Sequence, residues 1–476
     1  MSFDKTLVDA FDLEGRWGLP DWPVEKWLHG KAHFDPQAGT SLKVDGLLGE
    51  MPAQIPSKLD EYPAVYGATN DSNRVTLLDV SGGFGGMNLG QAGTIMSGSY
   101  HALRVIVGEF VPSTADLKYR SVAVRFHNLE EFFGRHGFDQ KVEKGSATIS
   151  YKLPASVDMK IDDIPVTAEY HAGLHTDEFE RWEIWQRARF TAKPESETQL
   201  DLLLGGVIAS LHYLVEFAVG HRLPILQIEA HSSRTDLAIN EKFLRNPIQI
   251  FMSQKRPLPL PPRETPMSLL FTLAALGPDA SLHVENWHRG FKAFRDALDF
   301  YFSFDPEVDT DVGLEHHFLT AANAFESLHR IVGKTQLERS QAEHEDRVTK
   351  ILDSTPGDFR KWLKGKLRHS NEVSLEQRLR DSYAEMPEGL RPILGGEDFP
   401  KVVATTRNAL IHHTESLKER ALNDPKEIWL ATKRLRLIMQ VQFLRGLGLD
   451  ERVLPQIVDR SSDYQILRQE MAWQNP

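Results

Sequence analysis

The sequence predicts an α+β protein in which a β-rich N-terminal region precedes an all-α helical bundle. Two observations predict it. Up to about residue 195, short runs alternate apolar and polar residues with period two, punctuated by Gly, Pro, Asn and Asp. From about Asn286 the apolar period becomes helical. The expected domains are residues 1–300, β-rich with a helical extension, and residues 309–460, the bundle.

The strands come first. Lys31–Asp35, Ser41–Val44, Arg74–Leu78, Tyr100–Phe110, Val122–Phe126, Ala147–Lys152 and Trp182–Phe190 suit a β-sandwich or barrel. Leu200–Val219 reads as a helix, and Ile225–His231 and Ile248–Met252 as further strands. Lys255–Glu264 is a proline-rich connector or surface arm. Trp287–Phe302 opens the helical half. In the next helix Leu314, Phe318, Ala321, Phe325, Leu328 and Val332 form one apolar stripe, with caps offered by Asp309, Thr310 and Asp311 and a stop by Gly333. One helix starts at Ser374, and another carries Phe399, Val402, Thr406 and Leu410. The last long helix has Asp424 as N-cap, Pro425 at N1 and Glu427 at N3, a reciprocal cap. It places Ile428, Leu435, Ile438, Met439 and Leu447 on its apolar positions and ends near Gly446 or Gly448.

Composition removes several function classes. Apolar residues make up 41% and charged residues 26%, as in soluble globular proteins. Without cysteine there are no disulfides, thiol nucleophiles or Cys-ligated zinc. The first residues lack the apolar core of a signal peptide. Leu202–Val215 is shorter than the roughly 20 residues of a bilayer span. The expectation is a cytoplasmic protein with no membrane partner. A net charge of −12 argues against nonspecific coating of nucleic acid, but leaves room for one local basic site. Phe359–His369 supplies five cations and no acid, enough to neutralise several phosphates. Beside Trp362, Leu363 and Leu367 it reads equally as a solvated helix face.

Most short motifs fail on chemistry. Ser81–Gly86 is glycine-rich but lacks a following Lys-Ser/Thr, so it reads as a flexible loop rather than a phosphate cradle. Gly333-Lys334-Thr335 lacks the upstream glycine of a P-loop. His316-His317, and His283 with His288, have no carboxylate to complete a metal site, so no metal or cofactor is expected.

Arg407-Asn408-Ala409-Leu410-Ile411-His412-His413 is different. An arginine can hold a phosphate bidentately. An imidazole can move a proton to or from a ribose oxygen near neutral pH. An amide can orient either group. These side chains suffice to cleave RNA without a metal. On an ideal helix Asn408 and His412 lie about 40° apart, whereas Arg407 and His412 lie about 140° apart. Either the backbone is irregular or a second copy completes the site.

The striped helix His316–Val332, a polar middle, this heptapeptide and a capped final helix follow in the order that resembles HEPN nucleases. Their signature is Arg, a polar residue, and His after four to six intervening residues. Arg407, Asn408 and His412 match it, and His413 fits as well. Glu14–Pro20, His29–Phe34 and Ser41–Gly46 resemble the N-terminal module of ApeA-type anti-phage proteins, in which a β-rich sensor region precedes a HEPN domain. The resemblance implies a metal-independent endoribonuclease acting in abortive infection. Arg407, Asn408 and His412 or His413 would be catalytic. RNA would be the substrate, the helical half would form a homodimer, and a phage-derived trigger would act on the N-terminal region. Two other readings remain: a sensor or binding protein with a silent helical dimerisation module, and a carbohydrate- or protein-binding β-module with Trp17, Trp22 and Trp27 as a platform.

Overall fold

Alternating strands in the first hundred residues close a barrel. In the computed structural model, which describes residues 4–474 except 50–58, 91–92, 178, 240–241, 246, 256–257, 304–312, 333–336, 369, 413–416 and 418, six antiparallel strands form it. They are β1 (Phe11–Gly18), β2 (Leu28–Asp35), β3 (Gly39–Asp45), β4 (Asp60–Thr69), β5 (Arg74–Gly90) and β6 (Gly93–Val107). Their order is β6-β3-β2-β1-β4-β5, and β5 pairs back onto β6 along its length. Closure removes the free sheet edges. Period two is visible along β1, where Phe11, Leu13 and Trp17 are buried and Asp12 and Glu14 exposed.

Two expectations change here. Trp17 and Trp27 are buried and Trp22 is half-buried, so they form no platform. The Trp17 indole fills the barrel and donates to the Gly30 carbonyl at 3.1 Å. A Cβ at Gly67 would stand 2.4 Å from that ring, so β4 can cross it only as glycine. Ser81–Gly86 is strand, not loop: it lies in β5 paired with β6, with a bulge between Phe84 and Gly86. A Cβ at Gly82 would meet the Ser99 carbonyl at 2.3 Å. Its glycine serves close backbone approach, which is invisible to local propensity.

The sheet continues beyond the barrel because β6 is long. Its residues Ser97–Ala102 pair with β3, and Arg104–Val107 pair with a later strand, Ile248–Met252. From there the order is Ile225–His231, Ser121–Phe126, Trp182–Ala192, Ile164–Thr176 and Val157–Ile161. Helix α1 (Leu200–Val219), long and apolar enough to cross a membrane, has 67% of its most apolar window buried inside this unit. Its Glu216, fully buried, accepts from Leu223 N at 2.9 Å and from Arg222 at 2.8 Å. A buried carboxylate needs such partners. Of the proline-rich segment, residues 256–257 lie outside the described ones.

The chain divides into two compact units, Met1–His288 and Arg289–Pro476, the division falling inside helix α2 (Ala280–Phe302). In the second unit α3 (Leu314–Val332) buries Phe318, Ala321, Phe325 and Leu328, while Leu314 and Val332 at its ends are exposed. The expected caps Asp309–Asp311 and the stop at Gly333 lie outside the described residues, as does Gly333-Lys334-Thr335. Next come α4 (Gln341–Asp353), α5 (Gly357–Leu367), α6 (Leu375–Ala384) and α7 (Phe399–His412). The Ser374 hydroxyl caps α6 by accepting from Gln377 N at 3.2 Å. α8 (Pro425–Gly446) is buried on most sides, from Ile428 to Leu444. Asp424 accepts from Lys426 N at 2.7 Å and Glu427 N at 3.2 Å. The reciprocal bond expected from Glu427 is not among those formed. The full capping box belongs instead to Ser340 and Glu343 on α4. The short helix α9 (Leu454–Val458) and α10 (Ser462–Gln474) close the unit.

One polar network runs through this bundle. Arg436 on α8 donates to buried Asp463 at 2.8 Å and to the Tyr301 carbonyl at 2.8 Å. Lys433 lies 2.8 Å from the same carboxylate. Gln440 joins the Tyr301 hydroxyl at 2.7 Å to Ser461 at 2.8 Å. Burial pushes the Tyr301 phenol up to about 12.

Candidate nuclease site

Residues Arg407–His412 of the heptapeptide form the last turns of α7. This helix holds its place through Phe399, Val403, Thr406 and Ala409, which are buried. The expected stripe through Val402 and Leu410 is displaced by one position, and both are half-buried. Thr406 does more than pack. Its hydroxyl donates to the Val402 carbonyl at 2.8 Å and accepts from Leu422 N at 3.0 Å. That second bond ties the chain returning past the heptapeptide back to the helix that carries it.

Arg407 and Asn408 meet directly. The Arg407 Nη1 donates to Asn408 Oδ1 at 3.3 Å. Its Nη2 lies 3.7 Å from Glu326 Oε2 on α3, with both side chains largely covered. Neighbours along a helix do not normally face each other. The length of the arginine makes this pair possible. In this structure the Asn408 amide oxygen is thus engaged by the guanidinium rather than by an imidazole.

His412 is the last residue of α7 and is exposed. Among the described residues no hydrogen bond or ion pair joins it to Arg407 or Asn408. Ile411 beside it is 41% exposed. His413 lies outside the described residues. Thus one chain brings together Arg407 and Asn408 but leaves His412 apart, consistent with the angular offset on an ideal helix.

Sequence reasoning missed the charged surroundings. Glu326 also accepts from Arg330 at 2.9 Å. Arg330 lies 3.5 Å from Glu372. One turn along α3, the buried Arg378 donates to His329 Nδ1 at 3.2 Å. Burial first, and then the Arg378 charge, push the His329 imidazole below its ordinary value. It is thereby kept neutral, as an acceptor facing a guanidinium must be. The local signal is faint, since Glu326 stands beside Asn323 and Ser327 as one of three polar residues in Ala321–Leu328. Its pairing with Arg407 comes from another helix.

The N-terminal residues that carry the family resemblance also gather in one place. Inward residues of β1–β3 fill the barrel. Outward ones form a cross-strand row, Glu14 opposite Lys31 and Lys31 opposite Lys43. With His29, Asp45, Asn70 and Ser97 they line an open depression of about 470 Å³. Lys31 is held there by Asp12 at 2.7 Å and Glu14 at 3.3 Å. The histidines weighed as metal ligands are placed otherwise: His288 contacts Ser210 at 2.7 Å and Asp162 at 2.8 Å through its two ring nitrogens.

A closed barrel with a sheet extension, followed by a helical bundle bearing an Arg-Asn-x3-His turn, defines the class of chain. Residues 12–287 match the family described as ApeA N-terminal domain 1, and residues 319–453 match Apea-like HEPN. The chain belongs to the ApeA family, as an ApeA-type anti-phage defence protein with a C-terminal HEPN domain. No curated protein and no solved structure matches it.

Proposed function

We propose that the chain is a metal-independent endoribonuclease that acts as a homodimer in abortive infection. The observation that carries this reading is the Arg407–Asn408 pair standing on the same two helical turns as an exposed His412. Arg407 neutralises the scissile phosphate and the charge that builds on it. One imidazole takes the proton of the ribose 2′-hydroxyl, whose oxygen forms a bond to phosphorus. The bond from phosphorus to the 5′-oxygen breaks, and the imidazolium so formed passes that proton to the leaving oxygen. The products are a 2′,3′-cyclic phosphate and a 5′-hydroxyl. Water takes no part in this step, and DNA lacks the nucleophile. A second copy, docked through the helical half, supplies the imidazole that works with each Arg407.

The depression over Glu14, Lys31 and Lys43 is the proposed receptor for a phage-derived trigger. Its mixed charges suit a polar protein surface more than an apolar ligand.

A second reading has its own support. In this structure a carboxylate, Glu326, lies against the arginine that must take a phosphate. A silent dimerisation module in a sensor protein would look like this. The deciding experiment incubates the triggered, full-length protein with RNA in EDTA and identifies the new ends. Cleavage with 2′,3′-cyclic phosphate ends is expected, and none at a 2′-deoxy position. Activity that disappears in EDTA and returns with a divalent ion would refute the metal-independent reading. No cleavage under any condition would leave the silent module.

A further inference from the structure

The basic cluster weighed in the sequence is not absorbed by the nuclease site. It forms α5, half of a helical hairpin whose two helices, α4 and α5, bury none of their residues. The hairpin is nonetheless built. Asn371, 5% exposed, closes its base: the side-chain carbonyl accepts from Arg339 N at 3.0 Å, and the amide donates to the Arg339 carbonyl at 3.0 Å. Glu338 N adds a bond to the Asn371 carbonyl at 2.9 Å, and Leu337 bridges to Glu372. Arg360 ties the start of α5 to the end of α4, donating to the Thr355 carbonyl at 2.9 Å.

The face of α5 is ordered in stripes. Leu363 and Leu367 are half-covered and share one side. Lys361, Lys364 and Arg368, spaced i, i+3, i+7, fall within about 60° of each other on a second. Phe359, Trp362 and Lys366 repeat that spacing within about 60° on a third. Phe359 is 58% exposed and Trp362 62% exposed. Lys361, Lys364, Lys366 and Arg368 are exposed and make no ion pair among the described residues. The helix has one acid, Asp358, in its first turn. Three of the four acids of α4 are engaged locally: Asp346 by Lys350 at 2.6 Å, Glu345 by Gln341 at 2.8 Å, and Glu343 in its cap; the fourth, Asp353, ends the helix. Gly365, on the exposed side between the two outer stripes, has nothing within 4 Å of where a Cβ would stand.

We propose that this hairpin is a binding arm for single-stranded RNA, separate from the Arg407 site. The choice of occupant rests on the ribonuclease reading. Charge complementarity argues for it: four uncompensated cations stand on one helix of a chain whose net charge is −12. The lysine and arginine stripe follows the phosphates. Phe359 and Trp362 offer their ring faces to unstacked bases, the combination that holds single strands without reading sequence. A duplex keeps its bases stacked and would use the cations alone.

The test measures binding, not cleavage, on the full-length chain carrying His412→Ala, with a fluorescent unstructured RNA of mixed sequence. Lys361→Glu, Lys364→Glu and Arg368→Glu together should raise Kd at moderate salt more than tenfold. They should also flatten the dependence of log Kd on log salt by about two, since each single-strand phosphate contact contributes about 0.7. Phe359→Ala with Trp362→Ala should raise Kd about tenfold and leave the salt slope unchanged. All five positions are exposed, so an unchanged melting temperature is expected and shows that folding is intact. Unaltered RNA binding in both variants would overturn the proposal, as would failure of the parent chain to bind RNA. Loss of binding to phosphatidylserine vesicles, with RNA binding kept, would reassign the arm to membrane. Failure of the ribonuclease reading is seen separately, as absence of cleavage by the unaltered chain.

Discussion

In the proposed reaction Arg407 would carry the central chemistry of the helical unit, and its surroundings give a reason why a lysine would not replace it. The guanidinium meets the Asn408 carbonyl oxygen on one side and approaches Glu326 on another. In the proposed reaction a phosphate enters that same fork. Lys would keep the charge but lose the planar donors that serve two acceptors at once. Arg407→Lys is therefore expected to lose at least about tenfold in kcat/KM, about 1.4 kcal/mol of transition-state stabilisation. Arg407→Ala should abolish cleavage and cell protection. His412→Ala should do the same with little change in melting temperature, because an exposed helix-end residue contributes within about 0.5 kcal/mol. His413→Ala should do less, since His413 lies about 140° from Asn408 on an ideal helix while His412 shares its face. Silencing by His413→Ala with near-normal cleavage in His412→Ala would reverse the assignment. The heptapeptide could be read from sequence because its chemistry is local. Glu326 could not, because its contact with Arg407 exists only once α3 and α7 are neighbours.

Helix α8 shows the same division at the scale of elements. Its start was legible, since Asp424 and Pro425 act on the first turn of their own helix. Its partners were not, since Asp463 and Tyr301 come from α10 and α2. The barrel behaves alike. Period two marks the strands, but the return of β5 onto β6 is a non-local pairing. The glycines that permit it look locally like a loop. The Asp463 network is the bundle's most exposed point to mutation because it is buried. Burial pushes the Asp463 carboxyl up, but Arg436 and Lys433 more than offset this and hold it below the usual carboxylate range. The sign follows directly. A carboxyl lowered in the folded state stabilises above its unfolded value, and that contribution is lost as pH falls through the folded one. The melting temperature of the helical unit should therefore drop on acidification below about pH 4. Asp463→Asn should cost about 3–5 kcal/mol at neutral pH by leaving buried Arg436 and half-buried Lys433 without their countercharge. It should also make the remaining stability less sensitive to acid, in thermal melts across the same range. An acid profile unchanged by Asp463→Asn would show that other carboxylates govern the transition.

For the whole molecule the question is how many chains make one active site. The proposed step needs a proton acceptor and a proton donor. One chain offers an exposed His412 that does not reach its own Arg407. In a two-fold dimer the same patch meets itself, so Arg407 would work with the partner's His412 twice over. This has a consequence that stability effects cannot mimic. Arg407→Ala and His412→Ala are each expected to be inactive alone. In a heterodimer of the two, one site has lost both groups while the other retains both. Random exchange of equal amounts makes half the dimers mixed, so about a quarter of the unaltered activity should return. The assay mixes the purified variants after dissociation and measures RNA cleavage per chain, with sedimentation to confirm dimers. No recovery in a mixture shown to contain heterodimers would mean that Arg407 and His412 act within one chain. Because α7 is a continuous helix from Phe399 to His412, the length of the Arg407 side chain, rather than an irregular backbone or the second copy, would then be the answer to their angular offset.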